Sequence, residues 1–349
     1  MDKMMDEIVS KLVKDIRYGE IKGTYNIVVA TINLLKYLIN NANWITAKDL
    51  IEIIILNGKH LIDAFPLEAS IGNMVRRILK IIREEYMLEL KKKSDESDFQ
   101  ESLHKLLTAE AEDDVDFNIS VPSLKPSLID RLNEFELELE TCSENITKLA
   151  PEYIESNDII MTFGKSTLVE EFLKTAAATK SFEVIVAEGG PSLRGIEMAS
   201  SLSEAKIQTT LLSDDLMFAL MPKISKVIIG AHTVMSNGGL RAISGCGTIA
   251  RAAKYYSIPL IVLLPLYKLS PLSVCSYKQD GFTKYASPLS GVISGANAAL
   301  LERVEAYNPV YNYVPSDLVT LFITNMGSNE PSCNHKLISE LYHPNDYKL

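Results

Sequence analysis

Two glycine-bearing segments and a few histidines are the residues whose types and spacing could bind a cofactor or catalyse a reaction. The segment FGKST at 163–167 has the ending of a phosphate-binding P-loop, but Ile159 stands where that motif needs its first glycine. A helix start that carries Lys165 and Ser166 could hold an anion. A well-capped helix start is the preferred interpretation, so we predict no nucleoside triphosphate site.

The segment GCGTIA at 245–250 matches the dinucleotide fingerprint G-x-G-x-x-A. That fingerprint must join a strand directly to a helix, yet it begins fourteen positions after the predicted strand end at Ala231. The stretch 260–271, where an acid would bind ribose, carries none. We predict a glycine-bearing helix start and no bound cofactor.

The histidines and cysteines do not have the spacing of a metal site. Of the 5 histidines, only His232 follows a predicted strand, where it could act as an acid or base near neutral pH. Alone, it is better interpreted as a hydrogen-bonded structural residue. The 4 cysteines form no CxxC pair, which predicts reduced thiols and neither zinc nor disulfides: Cys142, Cys246, Cys275 and Cys333.

Length and composition indicate a globular chain of two domains, with 349 residues, 47% hydrophobic and 23% charged. A net charge of -10 argues against a surface that binds nucleic acid or an anionic membrane. The N-terminal residues mix acids and bases, and every apolar run is shorter than the roughly 20 residues that span a bilayer. We expect a cytoplasmic protein without membrane contact.

Helical periodicity dominates the first part of the chain. It predicts an all-helical N-terminal domain over 1–90, with helices over 4–16, 25–39, 47–56 and 71–86. The stretch 94–119 holds nine acids and one base, so we predict a disordered insertion over 91–127. Leucine spacing then predicts one connecting helix over 128–150.

The last N-terminal helix carries four cations that we expect to point outward while their stems cover apolar neighbours. This basic face consists of Arg76, Arg77, Lys80 and Arg83. It is a candidate contact surface for a partner, although internal contacts or simple solvation would account for it equally well.

From 151 to 349, short apolar runs alternate with helical stretches. The runs are IIMTF, EVIVAE, IQTTLL, VIIGA and PLIVLLP. Strands this apolar are covered on both faces, which predicts a Rossmann-like α/β domain with a mainly parallel sheet. Loops at the carboxyl ends of such strands should converge on a site: 164–167, 188–195, 213–215 and 232–239.

Several long strings together resemble one family. They are GNMVRRILKIIREEY (72–86), ELETCSENI (138–146), KVIIGAHTVMSNGGLRAISGCGTIARAAKYYSIPLIV (226–262), YVPSDLVTLFITNMGSNEPS (313–332) and SELYHP (339–344). The chain resembles the regulatory subunits (alpha, beta and delta) of eukaryotic translation initiation factor 2B, a family related to methylthioribose-1-phosphate isomerase. The resemblance implies a helical N-terminal domain followed by a Rossmann-like domain, in agreement with the periodicities.

The resemblance also implies a role. Such subunits form the regulatory core of the guanine-nucleotide exchange factor for initiation factor 2, while the epsilon subunit, aided by gamma, carries exchange. This chain would be a non-catalytic scaffold that docks the G protein and helps sense phosphorylation of its alpha subunit. The implied partners are the other factor 2B subunits, with a homodimer when isolated and the segment 311–326 partly buried against another chain.

Kinship with sugar-phosphate isomerases raises the alternative of an aldose-ketose isomerase. Aligned with the isomerase segments, Gly164 takes the place of the catalytic cysteine, His232 that of the aspartate and Gly190 that of an arginine suited to phosphate. These losses predict no enzymatic activity. A relic anion pocket remains as a hypothesis, formed by Lys165, Ser166, Arg194 and His232.

Overall fold

The computed structural model describes most of the chain: residues 3–95, 117–190, 192–273, 305 and 307–349. The chain forms two compact units, which we call the helical unit (1–139 with 339–349) and the sheet unit (140–338). Most of the predicted disordered insertion, at 96–116, and Cys275 lie outside the described residues.

The helical unit is built from amphipathic helices, as the periodicity predicted. Its helices are α1 (Lys3–Arg17), α2 (Thr24–Asn41), α3 (Ala47–Ala64), α4 (Ala69–Asp95) and α5 (Leu124–Glu140). Their apolar stripes meet in a core that includes Val9, Leu12, Ile27, Leu34, Leu61 and Ile71. Burial of these stripes provides most of the stability of such helices.

Helix α3 begins where predicted and ends later. Thr46 and Asp49 form a capping box, because each side chain accepts a hydrogen bond from the other's backbone N–H. The helix continues through Asn57 and Gly58 instead of ending at Leu56. A Cβ at Gly58 would lie 2.5 Å from Val75, so glycine permits close packing of α3 on α4.

The single connecting helix predicted over 128–150 is wrong. The structure has α5, then α6 (Cys142–Lys148) and α7 (Ala150–Tyr153). Pro151 lies in the first turn of α7. Because proline has no N–H to donate, it fits a helix start and ends the preceding helix.

The sheet unit has the predicted Rossmann-like architecture. Among the described residues, seven strands form one sheet in the order β10-β9-β7-β4-β1-β2-β3, parallel except for β10. The strands are β1 (Ile159–Phe163), β2 (Glu183–Ala187), β3 (Gln208–Leu212), β4 (Lys226–Gly230), β7 (Leu260–Leu263), β9 (Leu321–Thr324) and β10 (Gly327–Asn329). The order reverses between β1 and β4, where ligands bind in folds of this class.

The remaining helices of this unit follow the strands. They are α8 (Thr167–Ala177), α9 (Gly195–Glu204), α10 (Met217–Leu220), α11 (Cys246–Tyr255) and α12 (Asn334–Leu341). The central strand β7 is buried along its length, whereas the edge strand β3 is largely exposed. Burial on both faces explains why the central strands are continuously apolar.

A small antiparallel sheet was not predicted. It has the order β5-β6-β8, with β5 (Thr233–Val234), β6 (Leu240–Ile243) and β8 (Tyr311–Val314). These strands are short, and β8 is distant in sequence, so no local pattern reveals the pairing. The segment 311–326 thus supplies β8 and β9, and Val314 and Phe322 are buried within this chain.

The two units differ from the predicted domains. The last residues, 339–349, belong to the helical unit, although we predicted one Rossmann-like domain from 151 to 349. Contacts to α4, described below, account for this placement. No helix in the described part of the chain is long and apolar enough to cross a membrane.

Candidate functional site

The loops at the carboxyl ends of β1 and β2 meet at the reversal of strand order. The backbone N–H of Gly164 donates to the carbonyl of Ala187 at 3.1 Å. Gly164 and Gly189 both have positive φ, and a Cβ at Gly189 would lie 2.9 Å from the Cα of Gly164. Only glycine permits such an approach without strain. The convergence predicted for four loops is therefore observed for these two.

The carboxylate of Asp214 closes the loop that follows β2. Its two oxygens accept hydrogen bonds from the backbone N–H groups of Gly189 and Gly190 at 3.0 and 2.8 Å. Paired backbone amides of this kind are anion-binding groups. Here an internal carboxylate occupies them, so these two amides are already satisfied.

Lys165 and Arg194 share a second internal carboxylate. Lys165 Nζ lies 3.2 Å and Arg194 Nε 3.8 Å from Oε2 of Glu197, in the first turn of α9. The structure therefore brings two of the four predicted pocket residues together. Their charges face Glu197, which leaves less positive charge for an external anion.

The other two predicted pocket residues, Ser166 and His232, lie close to neighbouring residues of the chain. Ser166 is the N-cap of α8 by position, but its side chain makes no capping hydrogen bond, unlike the well-capped start we predicted. A Cβ at Gly230 would lie 2.7 Å from Ser166 Oγ, so the space between β1 and β4 is narrow. His232 Nδ1 lies 3.0 Å from Thr233 Oγ1, and its ring packs 4.5 Å from that of Tyr311.

The site lacks the groups that isomerisation requires. Gly164, at the position of the isomerase cysteine, has a φ of 59° and no side chain to move a proton. Cys246 does not replace it, because burial, with the charge of Asp214 added, raises its thiol pKa to about 12. At neutral pH that sulfur is protonated and a poor nucleophile.

Within the described ranges, no three His, Cys, Asp or Glu residues are grouped so as to hold a metal ion.

The glycine-rich segment 245–247 begins α11 after Gly245, which has a φ of 105°. A Cβ on Gly245 would lie 2.1 Å from the ring of Phe163. This glycine is thus explained by packing and backbone conformation.

The predicted basic face does not project into solvent. Arg76 is only 2% exposed, and its guanidinium donates to the carbonyls of Asp346, Tyr347 and Leu349. Arg83 forms a salt bridge with the buried Asp346 at 2.9 Å. The prediction that these side chains point outward is wrong for Arg76, because the C-terminal segment covers it.

The other two cations of the basic face also contact this segment. Lys80 Nζ donates to the carbonyls of Ser339 and Glu340 at 2.8 Å, and Arg77 to that of Leu341 at 3.2 Å. The internal-contact alternative is therefore the one observed. Beside these contacts lies a cavity of about 530 Å³, lined in part by Lys80, Leu88, Phe117, Arg131 and Tyr342.

These observations define a Rossmann-like protein whose strand-end site has lost its catalytic groups, joined to a helical unit. The model of the Initiation factor 2 subunit family matches residues 20–331, and the chain belongs to that family. Translation initiation factor eIF2B subunit beta of Dictyostelium discoideum is 41% identical over 93% of this chain and 92% of its own length. Its counterpart in Schizosaccharomyces pombe is 33% identical over 97% and 96%.

A solved structure shares the fold. The tetrameric eIF2B-beta2-delta2 complex from C. thermophilum matches with a TM-score of 0.71 at 24% identity, covering 97% of this chain and 95% of that chain. Within this family, the strings YVPSDLVTLFITNMG and SELYHP favour the beta branch, and the two relatives confirm it. The chain is a regulatory subunit of the exchange-factor type, and the isomerase alternative is not favoured.

Proposed function

We propose that this chain serves as a non-catalytic regulatory subunit of the exchange factor that acts on translation initiation factor 2. The observation that carries the proposal is similarity to beta subunits over more than nine tenths of the chain. The strand-end site agrees with it, since Asp214 and Glu197 hold the groups that would otherwise bind an anion. A scaffold needs no free catalytic group at this site.

The proposed first partner is the delta subunit, joined by alpha, gamma and epsilon in the complete complex. Support comes from a beta2-delta2 complex that shares this fold. Because its identity is 24%, that likeness indicates the fold alone, and pairing of this chain with delta remains our proposal. We place the complex in the cytoplasm, and we expect the isolated chain to form a homodimer by a two-fold contact.

Co-purification with a tagged delta subunit tests the identity of the chain and its partner together. We expect a stoichiometric complex that survives gel filtration. Recovery of the tagged delta subunit without this chain would contradict the proposal. Analytical ultracentrifugation of the isolated chain tests the homodimer, and a monomer at high concentration would contradict it.

We also propose that the helical unit contributes to docking of the alpha subunit of initiation factor 2. A phosphoserine on that subunit adds about -1.5 to -2 charges, which favours a different bound pose near cations. The basic face of Arg76, Arg77, Lys80 and Arg83 is the candidate contact. Because the basic face binds the C-terminal segment 339–349, we expect it to act mainly by shaping the surface around the neighbouring cavity.

Charge reversal distinguishes this docking role from a purely internal one. Lys80→Glu is the test variant, and Lys59→Glu, on the exposed side of α3, is its control. We expect the first to lower recovery of the initiation factor 2 alpha subunit and the second to leave it unchanged. Equal recovery by both, with unchanged circular dichroism, would contradict the docking role.

A further inference from the structure

The cavity beside the basic face lies within the helical unit and has a volume of about 530 Å³. All of its lining residues belong to 1–139 or 339–349, so a single unit supplies its walls. A volume of this size accommodates a small organic molecule. Its apolar wall consists of Met87, Leu88, Phe117 and Pro344. The cavity can therefore bury the apolar part of such a molecule.

Three of the cations that line this cavity are bound to other groups of the chain. Arg83 forms a salt bridge with Asp346 at 2.9 Å. Arg131 forms one with Glu134 at 3.0 Å. Lys80 donates to two carbonyl groups of the C-terminal segment at 2.8 Å. These internal acceptors leave less positive charge for an external anion.

The carboxylate of Glu85 differs from these cations, because it has no hydrogen-bonding partner among the described residues. Glu85 is partly buried and lines the cavity. Glu84, which also lines the cavity, is exposed and lies 3.6 Å from Lys80. Burial raises the pKa of Glu85, ahead of the opposing effects of Arg131 and Lys92. A carboxylate withdrawn from water in this way is stabilised when a cation enters beside it.

We propose that this cavity binds a small organic cation that has an apolar body and one ammonium group. We call it the amine site and define it by Glu85, Met87, Leu88 and Phe117. The ammonium group donates to the carboxylate of Glu85, in a charge-assisted hydrogen bond, while the apolar body packs on Leu88 and Phe117. The amine site goes beyond the proposed function, since binding of a small ligand needs no other subunit.

Three probes of similar shape measure which charge the amine site prefers. They are 4-phenylbutylamine, 4-phenylbutanol and 4-phenylbutyrate, which are cationic, neutral and anionic at about pH 7. Titration of the full chain, followed by ligand-observed NMR, gives a dissociation constant for each probe. We expect the amine to bind about tenfold more tightly than the alcohol, because only the amine pairs with a charged carboxylate. The acid should bind more weakly than both.

Two single variants should change the affinity for the amine in opposite directions. Glu85→Gln keeps the shape of the side chain but removes its charge, so we expect binding about tenfold weaker. Lys91→Gln removes an exposed cation that lines the cavity, so we expect binding about twofold tighter. Glu52→Gln and Lys59→Gln, at exposed positions of α3, are the matched controls and should leave the affinity unchanged.

Leu88→Asn tests where the apolar body binds. Leu88 is 49% exposed and lines the cavity, so its loss removes apolar contact without emptying the core. We expect the amine and the alcohol to lose affinity by the same factor. Leu56→Asn, at a position of α3 that is 52% exposed, is the control and should weaken neither probe. Circular dichroism and thermal unfolding of every variant show that the fold is retained.

Each contrary outcome identifies the part of the proposal that fails. Equal affinity for the amine and the alcohol, or unchanged binding by a folded Glu85→Gln variant, would overturn the pairing with Glu85. Tighter binding of the acid, weakened in Lys91→Gln, would overturn the amine site in favour of an anion site. Binding of none of the probes would overturn the site itself. Co-purification with the delta subunit tests the proposed function separately from all of these results.

Discussion

At the scale of single residues, internal carboxylates contact the amides and cations of the candidate pocket. Asp214 satisfies the amides of Gly189 and Gly190, and Glu197 faces Lys165 and Arg194. The cations and amides at the loop ends suggested binding of an external anion. Such groups pair with the anion that is held nearest to them. Here the nearest anions are the chain's own carboxylates, Asp214 and Glu197.

We expect Asp214 to contribute more to the stability of the fold than its neighbour Asp215. Asp214→Ala leaves two loop amides without their acceptor, which costs about 1–3 kcal/mol. We expect a lower unfolding temperature than for Asp215→Ala, which removes an exposed carboxylate. Thermal unfolding followed by circular dichroism makes the comparison, and equal effects of the two variants would contradict the assigned contacts.

Glu89 on α4 should make the helical unit sensitive to acid. Its buried carboxylate accepts hydrogen bonds from Lys92, Ser123 and Ser127, and these bonds, that of Lys92 foremost, lower its pKa. A lowered pKa in the folded state stabilises the fold above the ordinary carboxyl pKa of about 4.3. That contribution is lost as the pH falls through the lowered value.

Glu89→Gln removes this charge and is the test of the pH dependence. We expect the wild type to resist urea better than the variant at pH 7, and the difference to shrink below about pH 4. Glu52→Gln, which changes an exposed residue of α3, is the control and should show a much smaller difference. A difference between wild type and Glu89→Gln that stays constant with pH would refute the assignment.

At the scale of elements, helix starts were predictable and helix ends were less so. The capping box of Thr46 and Asp49 is local, since all its atoms lie within one turn. Thr46→Ala should therefore destabilise the helical unit by about 1 kcal/mol, with Lys48→Ala as a neutral control. Urea unfolding measures both, and an effect of Lys48→Ala as large as that of Thr46→Ala would argue against the cap.

The contact between α4 and the C-terminal segment is an element-scale feature in which Arg76 is the most deeply buried of four cations. Arg76→Met deprives up to three carbonyls of their donor, at a cost of about 1–3 kcal/mol. We expect faster proteolysis within 339–349 and a lower unfolding temperature. Arg17→Met, at an exposed position in α1, is the control. Unchanged proteolysis in Arg76→Met would mean that other contacts hold the segment.

At the scale of the whole molecule, the chain has the fold of the related isomerases but not the residues that they use for catalysis. The purified chain should give no ketose from methylthioribose-1-phosphate. Gly164→Cys should not restore turnover, because Gly190 and His232 still stand where the isomerases have an arginine and an aspartate, and a φ of 59° strains any side chain at 164. Turnover at enzymatic rates by either form would overturn the regulatory assignment.

The negative charge of the chain is concentrated in one segment. The stretch 94–119 contributes -8 of the total charge of -10, so the rest of the chain is nearly neutral. The argument against nucleic-acid partners therefore depends less on net charge than on the lack of a recognition motif.

The sequence by itself determined the alternation of strands and helices, the parallel sheet and the loss of the isomerase groups, because periodicity and residue identity are local properties. Tertiary structure alone decided that Arg76 is buried, that Asp214 binds the loop amides and that 339–349 joins the helical unit. The partners in these contacts are tens to hundreds of residues apart. Whether a charged side chain meets water or a distant carbonyl depends on how the whole chain packs, which no window of sequence records.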